Sequence, residues 1–365
     1  MRGWPMPAEP WPFVLGREFV GVFAIEEWKA LDGMVRFRGR LLVEPEVAMS
    51  LLSQRMAPYG YVPMIRSPEE ITLVRLHSAY GGRGPTTWRG WPLNLALLLA
   101  TMLTTLFVGA IMEGAQPLAD PWSLLMGLPF SASLLLILGF HELGHYLVAR
   151  AYGVHVSLPY FIPLPLPPMG TMGAIIRMSS PIPNRKVLFD IGIAGPLLGL
   201  LLAVPVLVIG LMLSPVKPVS GVILQEGNSL AYIFLKWLIK GPIPDGSDVM
   251  LHPMALAGWL GFFVTTLNLM PLSQLDGGHI VYAVLGRDYR KIVWGFLGVL
   301  VLLYLLSHWE GWLVWVGLSV ALGLKHPPPL DDLTPLDGPR RVLALIALGL
   351  LAVLLTPRPF SVYEL

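Results

Sequence analysis

Seven stretches of this chain are too apolar for the surface of a soluble protein: residues 93–112, 123–150, 187–213, 252–272, 291–306, 311–324 and 341–356. A bilayer core of about 30 Å is crossed by about 20 apolar residues in helical form. In lipid only helices or closed barrels satisfy every backbone polar group. The pattern therefore predicts a multi-pass α-helical membrane protein with six to seven transmembrane helices, its first partner being the lipid bilayer. The short pair 291–306 and 311–324, joined by Ser307–Glu310, reads as two tight crossings or as one and a partial one. Only 13% of residues are charged, about half the share of a soluble domain. A net charge of +2 offers no field for nucleic acid, which is set aside as a partner. The chain has no cysteine, which excludes disulfides, thiolate metal ligands and thiol nucleophiles.

The first 84 residues differ in kind. Gly21–Ala30 and Met34–Glu44 read as strands, Pro45–Ala57 as a helix opened by Pro45 and Glu46, and Tyr61–Ile65 and Ile71–Leu76 as two more strands around Ser67-Pro68. The expectation is a small soluble α+β domain of order β-β-α-β-β over residues 1–84. A linker at 85–92 follows the turn-forming Gly81, Gly82 and Gly84, then a membrane core at 93–285 and additional membrane helices at 286–365. Residues 1–12 carry Pro5, Pro7, Pro10 and Pro12 and lack the layout of a secretory signal. The first membrane helix is expected to act as the insertion signal.

Charge orients these spans. With seven crossings and the N-terminal domain cytoplasmic, that side holds eleven Lys and Arg before residue 93, four at 150–186, three at 287–291 and three at 325–341. The other side holds only Lys217, Lys236, Lys240 and Arg358. Such asymmetry is what the positive-inside rule describes. The expected location is the bacterial cell membrane rather than an organellar one, with the N-terminal domain and the active-site side cytoplasmic.

One apolar stretch fits no helix. Residues 157–183 contain Pro159, Pro163, Pro165, Pro167, Pro168, Pro181 and Pro183, and proline removes helix donors and clashes with the preceding turn. Between them, Gly170-Thr171-Met172-Gly173 and Ala174–Met178 read as a turn and a strand. Non-helical backbone at membrane depth must be buried in protein or line a wet cavity, which points to a site.

The residues that carry chemistry are His141-Glu142-Leu143-Gly144-His145. On a helix, positions i and i+4 share a face, so two imidazoles can hold one zinc ion while the adjacent Glu142 takes a proton from its water. Ionisable residues after the apolar run Leu134–Phe140 are costly inside a membrane and functional by default. The plainer alternative is a helix end meeting the interface. Three ionisable residues within five positions exceed what a helix end requires.

A hydrolytic zinc site needs a third protein ligand and an open position. His155 does not complete the extended motif H-E-x-x-H-x-x-G-x-x-H, because Val148 and Ala151 stand at the Gly and His positions; it reads as interfacial. Asp276, followed by Gly277-Gly278, closes the run Asn268-Leu-Met-Pro-Leu-Ser-Gln-Leu-Asp. From the residues alone it is equally a third ligand or a turn-forming helix C-cap.

Together these motifs resemble the site-2 protease family of intramembrane zinc metalloproteases. The resemblance covers about residues 93–285 and includes Gly170-Thr-Met-Gly-Ala, Ser180-Pro-Ile-Pro-Asn-Arg and Gly192-Ile-Ala-Gly-Pro. It implies one zinc ion held by His141, His145 and Asp276, with Glu142 as general base. It also implies that Asn268 helps to bind substrate or polarise its carbonyl, and that 157–183 is a re-entrant β-hairpin receiving unwound substrate as an added strand, through Gly170, Gly173, Ala174 and Ile175. Membrane-protein substrates, cut in or near their transmembrane segments, are the partners that follow. The chain departs from better-known members in having no PDZ-like insertion between residues 213 and 252 and in carrying the N-terminal domain, which is closest to the plastid and cyanobacterial type.

The alternative reading is a membrane zinc transporter or metal-binding receptor without protease activity. A transporter would spread acids along several helices, whereas these donors converge. Leu230, Ile233, Phe234, Trp237 and Leu238, with Lys236 and Lys240, suggest an amphipathic helix on the far interface. Gly192, Gly195 and Gly199 suggest close helix packing. Trp309, Trp312 and Trp315 suggest an aromatic belt. His279 reads either as tuning the site or as a cap, and His308 and His326 as interfacial.

Overall fold

The computed structural model describes residues 11–31, 34–75, 90–218, 222–272, 274–324 and 326–364. A short helix α1 (Trp11–Arg17) leads into β1 (Phe23–Leu31), β2 (Met34–Leu41), α2 (Pro45–Met56), β3 (Tyr61–Ser67) and β4 (Glu70–Arg75). The four strands form one antiparallel sheet in the order β1-β2-β4-β3. Alternation dictates its two faces: Val35 and Phe37 are buried while Arg38 and Arg40 are exposed. Ala48, Leu52 and Met56, four residues apart on α2, are buried in the same core as Leu15, Phe19, Ile65, Ile71 and Leu73. The proline-rich start did not suggest α1, yet Pro12 sits in its first turn, where the missing N–H costs nothing.

Of the expected linker, 85–89 lie outside the described residues, and 90–92 already open α3 (Trp91–Met112). At 22 residues α3 is about 33 Å long. It is followed by α4 (Leu128–Ala151), a hairpin of β5 (Tyr160–Pro163) and β6 (Thr171–Ile175), and α5 (Arg185–Leu213). Asn184 caps α5 by accepting a hydrogen bond from the Val187 N–H at 2.9 Å. Beyond it lie β7 (Val216–Pro218), β8 (Val222–Glu226), α6 (Leu230–Lys240), β9 (Ser247–Val249), α7 (Pro253–Leu269), α8 (Asp276–Leu285), α9 (Tyr289–Ser307), α10 (Gly311–Leu322), α11 (Gly338–Leu354) and β10 (Phe360–Glu364). β7 pairs with β9 and β8 with β10, so the last strand returns to the loop that follows α5.

Four helical stretches are long and apolar enough to cross a membrane: Trp91–Met112, Pro121–Ala151, Arg185–Leu213 and Asp276–Ser307. The expected run 252–272 is shorter as a helix, because α7 stops at Leu269 just before Pro271, and the chain restarts as α8. Asp276 is therefore the first residue of a new helix and not a C-cap. α4, α5 and α7 form the centre of the helical body, with Phe130, Leu134, Leu200, Leu207, Trp259 and Phe262 in one buried cluster. Backbones approach closely there: a Cβ on Gly258 would stand 2.6 Å from the Leu207 nitrogen.

Two sequence expectations change sides. On α6, Leu230, Phe234, Trp237 and Leu238 are exposed as predicted, but Lys236 is buried, with Nζ 3.4 Å from both Glu226 and Asp248. Trp312 is fully buried and donates its indole N–H to the Pro357 carbonyl at 2.8 Å, so it is a core residue and not part of a belt.

Candidate metal centre

α4 is apolar for most of its length, then presents His141, Glu142 and His145, all at most 6% exposed. The histidines lie one turn apart on one face, and their Nε2 atoms are 3.1 Å apart. Asp276, at the start of α8, brings Oδ2 to 3.2 Å from His141 Nε2 and Oδ1 to 3.3 Å from His145 Nε2. Two helices distant in sequence thus form a triangle of two imidazoles and one carboxylate, each imidazole facing a different carboxylate oxygen.

That triangle has the dimensions of a zinc site. Bonds of about 2.0–2.1 Å to a tetrahedral ion separate the ligand atoms by about 3.3 Å. The protonation pattern agrees. His145 Nδ1 lies 2.7 Å from the Ile191 carbonyl, which can only accept, so Nδ1 bears the proton and the Nε2 lone pair faces the other donors. Asp276 Oδ2 is buried without a hydrogen-bond donor, 3.2 Å from His141 Nε2. Converging lone pairs and an orphaned carboxylate oxygen are the mark of a cation site. Among the described residues this is the one group of three or more such donors.

The room for the imidazoles comes from α5. A Cβ on Gly195 would stand 2.1 Å from His145 Nε2, and one on Gly199 would stand 3.2 Å from the His141 ring. These glycines make room for the two imidazoles directly, a more specific role than general helix packing. Gly277 is equally constrained, with an added Cβ 2.0 Å from the Leu269 carbonyl oxygen.

The other predicted residues surround this group. Glu142 lies outside the donor triangle, next to His141 in sequence, and the backbone of Ile176 lies against its carboxyl group. Asn268, near the end of α7, sets its amide nitrogen 3.1 Å from His141 Nε2. In the hairpin, Phe161 pairs with Ala174 and Tyr160 with Ile175. Gly170 (φ +73°) and Gly173 (φ +98°) adopt a backbone that favours glycine. Met172 and Ile175 project outward, 69% and 56% exposed. His155 is not in the metal group; its backbone joins Ser179 and Ser180 at the base of the hairpin.

Sequence reasoning passed over several residues that position this site. Asn94 on α3 donates its amide to the Leu158 and Pro159 carbonyls at 3.0 and 2.9 Å, and Thr104 donates to the Gly170 carbonyl at 2.7 Å. They tie β5 and the hairpin turn to α3. Their signal was present, since polar residues within an apolar helix ask for partners. His326, expected at an interface, is placed differently. It is buried against α8, and its Nε2 lies 2.6 Å from His279 Nδ1.

An HExxH helix joined by a distant aspartate, sunk among apolar helices, defines a membrane zinc metalloprotease. Residues 129–305 match the model of Peptidase family M50. The chain is 34% identical to the probable zinc metalloprotease EGY1, chloroplastic, of Arabidopsis thaliana, over 67% of this chain and 45% of that protein. It is 30% identical to the rice (Oryza sativa subsp. japonica) protein of the same name over 75% of this chain and 52% of that one. With the probable zinc metalloprotease EGY2, chloroplastic, of Arabidopsis it shares 27% identity over 98% of this chain and 66% of that protein. The chain belongs to the site-2 protease family, and it spans about half the length of the first two of these relatives. Their names place those relatives in the chloroplast and lend nothing to the bacterial membrane expected from the sequence.

Proposed function

We propose that this chain is an intramembrane zinc endopeptidase that hydrolyses peptide bonds in or near the transmembrane segments of membrane proteins, as in regulated intramembrane proteolysis. One observation carries the reading: the buried His141–His145–Asp276 triangle and Glu142 stand beside a two-stranded hairpin whose β6 strand has no second strand partner among the described residues. A transmembrane helix shields its own peptide bonds, so it must unwind before it can be cut. Strand addition along β6 replaces the hydrogen bonds lost in a site poor in water. β5 packs on α3, and Asn94 ties the residues leading into it to that helix, which leaves β6 as the receiving edge. Gly173, Ala174 and Ile175 line that edge, whereas the expected Gly170 precedes β6 and has its N–H and carbonyl engaged by Leu166 and Thr104.

His141, His145 and Asp276 are the metal ligands in this reading. A zinc ion there supplies a Lewis acid for the carbonyl and lowers the pKa of water to about 7. Glu142 takes the proton from the attacking water and delivers it to the departing amine. The Asn268 amide, directed at the donor group, holds the substrate carbonyl. Gln in place of Glu142 removes the base and keeps the shape. Detergent-purified Glu142→Gln should retain one zinc per chain and lose cleavage of a panel of single-span membrane proteins by about 10²–10⁴-fold. Wild-type cleavage by this variant would overturn the assignment. Zinc binding without chelator-sensitive cleavage of any substrate would favour a metal-binding receptor or transporter.

We also place seven crossings in the membrane: α3, α4, α5, α7 with α8, α9, α10 and α11. α7 and α8, at about 25 and 15 Å, make one broken crossing that sets Asp276 at its interruption, where irregular backbone belongs in a membrane site. Basic loops beside the N-terminal domain support this arrangement: Lys186 pairs with Glu46 at 2.9 Å, and Arg287 donates to the Arg66 carbonyl at 3.2 Å. The N-terminal domain then lies on the untranslocated, positive side of the membrane, whether the bacterial cytoplasm or its counterpart in a plastid.

A further inference from the structure

α8 is a poor platform for a metal ligand if left to itself. It has ten residues and begins Asp276-Gly277-Gly278, and isolated helices of this length are marginal in water. A ligand must nevertheless be held to within about 0.5 Å. The segment between α10 and α11 supplies what α8 lacks. Asp332 is 2% exposed and accepts the Tyr282 hydroxyl with both oxygens at 3.1 Å, and it also takes the Arg185 Nε–H at 3.1 Å. The His326 ring stacks on Tyr282, with centroids 4.4 Å apart and planes 19° apart.

The hydrogen bonds of His326 have one consistent direction. Its Nδ1 lies 2.7 Å from the Pro327 carbonyl, an acceptor only, so Nδ1–H donates. Its Nε2 is then the acceptor for His279 Nδ1–H at 2.6 Å. Thus two residues of α8, His279 and Tyr282, are each gripped by a buried side chain of one connecting segment.

That segment is itself held by the soluble domain. The Ile65 N–H on β3 donates to the Leu330 carbonyl at 2.8 Å, and the Asp332 N–H donates to the Ile65 carbonyl at 3.0 Å. On its other side, Leu330 and Asp331 donate to the carbonyls of Ile182 and Pro183, both at 2.9 Å, just before α5. Residues 330–332 thus run between the edge of the N-terminal sheet and the segment leading into α5, with Asp331 in isolated parallel bridges to Ile65 on one side and Asn184 on the other. An edge strand that would otherwise invite association is covered by it.

We propose that His326 and Asp332 are positioning residues for the metal ligand Asp276, and that the bridging segment 330–332 makes the N-terminal domain part of the support of the metal centre. The proposal rests on Asp276 being a ligand, as read above. It gives the domain a role in the protease itself, beyond any partner the domain binds.

The test uses the full chain in detergent, with zinc affinity measured by competition against a chromophoric chelator and site geometry by the visible spectrum of the cobalt(II)-substituted protein. Tyr282→Phe and His326→Ala should each weaken zinc binding by about 10–100-fold, as loss of an outer-shell partner does, and alter the cobalt spectrum at unchanged helix content. His326→Gln places an amide oxygen near the lost Nε2 and should recover part of the affinity. Ile65→Pro deletes the N–H that reaches Leu330 and should weaken zinc binding in the same direction. Wild-type zinc affinity and cobalt spectrum in Tyr282→Phe and His326→Ala would overturn the positioning role. Wild-type values in Ile65→Pro alone would overturn the part played by the soluble domain. Asp276→Ala separates the two readings: if it keeps zinc, the ligand assignment itself has failed; if it loses zinc while the others do not, only the positioning role has.

Discussion

The N-terminal sheet buries Phe37, Leu52 and Ile71 and turns Arg38 and Arg40 outward, whereas the helical body buries His141, Glu142, Thr101 and Thr105 and turns Leu103, Leu201 and Leu345 outward. The same chain thus follows two opposite patterns, because its two parts face different surroundings. In water, burial of apolar area stabilises the fold, at roughly 25 cal/mol per Å². Against lipid that gain vanishes, and helices are held by close packing and by polar groups that find each other. The polar interior of the helical body is therefore scaffold and site at once. Thr105 and Ser131 join α3 to α4 through a 2.6 Å contact, and the histidines a few turns along α4 meet a carboxylate from α8.

This contrast can be broken by mutation. In the helical body, deleting one buried polar group should be decisive. Asp276→Ala should lose bound zinc and all cleavage, read by metal content and by a substrate panel; a variant still holding one zinc per chain would contradict the ligand set. In the soluble domain, deleting an apolar group should matter most. Leu52→Ala should cost about 2–5 kcal/mol of that domain's stability, seen as faster amide exchange confined to residues 15–75. Protection equal to wild type would mean that this core does not hold the domain together.

Smaller effects sharpen the comparison. Gly195→Ala drives a methyl group into His145 and should weaken zinc binding by about 10–100-fold; an unchanged chelator competition would show that α5 can move aside. Burial, helped by the neighbouring His279, pushes the His326 imidazole down to about 3. A histidine whose folded pKa lies below its unfolded value of about 6.5 is bound more strongly to protons when released. Docking of the 323–337 segment should therefore be strongest above pH 6.5 and weaken as the pH falls toward 3. The Ile65 and Asp332 amides, corrected for intrinsic rates, should exchange faster at pH 5 than at pH 7. Leu103→Ala, on the outer face of α3, should shift stability by no more than about 0.5 kcal/mol. A large loss there would mean that this face is covered by protein.

Much of the site was legible because it is written locally. The spacing His141 to His145 survives in any helix, and the prolines of 157–183 and the glycines of Gly170–Gly173 announce where helices must stop, whereas the stop before Pro271 was overlooked. α1 was missed because prolines were read as breakers at a position where a first helical turn tolerates one. Lys236, Trp312 and His326 were each placed at an interface on chemical type alone. Burial depends on a partner elsewhere in the chain: Glu226 and Asp248 for the lysine, the Pro357 carbonyl for the tryptophan, His279 for the histidine.

By itself the sequence determined that this chain carries membrane-type apolar helices, that a domain of mixed strands and helix precedes them, and that one helix carries His141, Glu142 and His145 in a metal-binding pattern. These follow from hydropathy and from the fixed turn of a helix, which need no knowledge of distant residues. Its motif could name Asp276 only by resemblance. That this carboxylate, 131 residues after His145, lies 3.3 Å from it was decided by the packing of α8 on α5. That His326 and Asp332 meet His279 and Tyr282 of α8, on a segment bridged to Ile65 of the N-terminal sheet, was also decided there. Periodicity states which face of an element is polar; only the assembled fold states what that face meets.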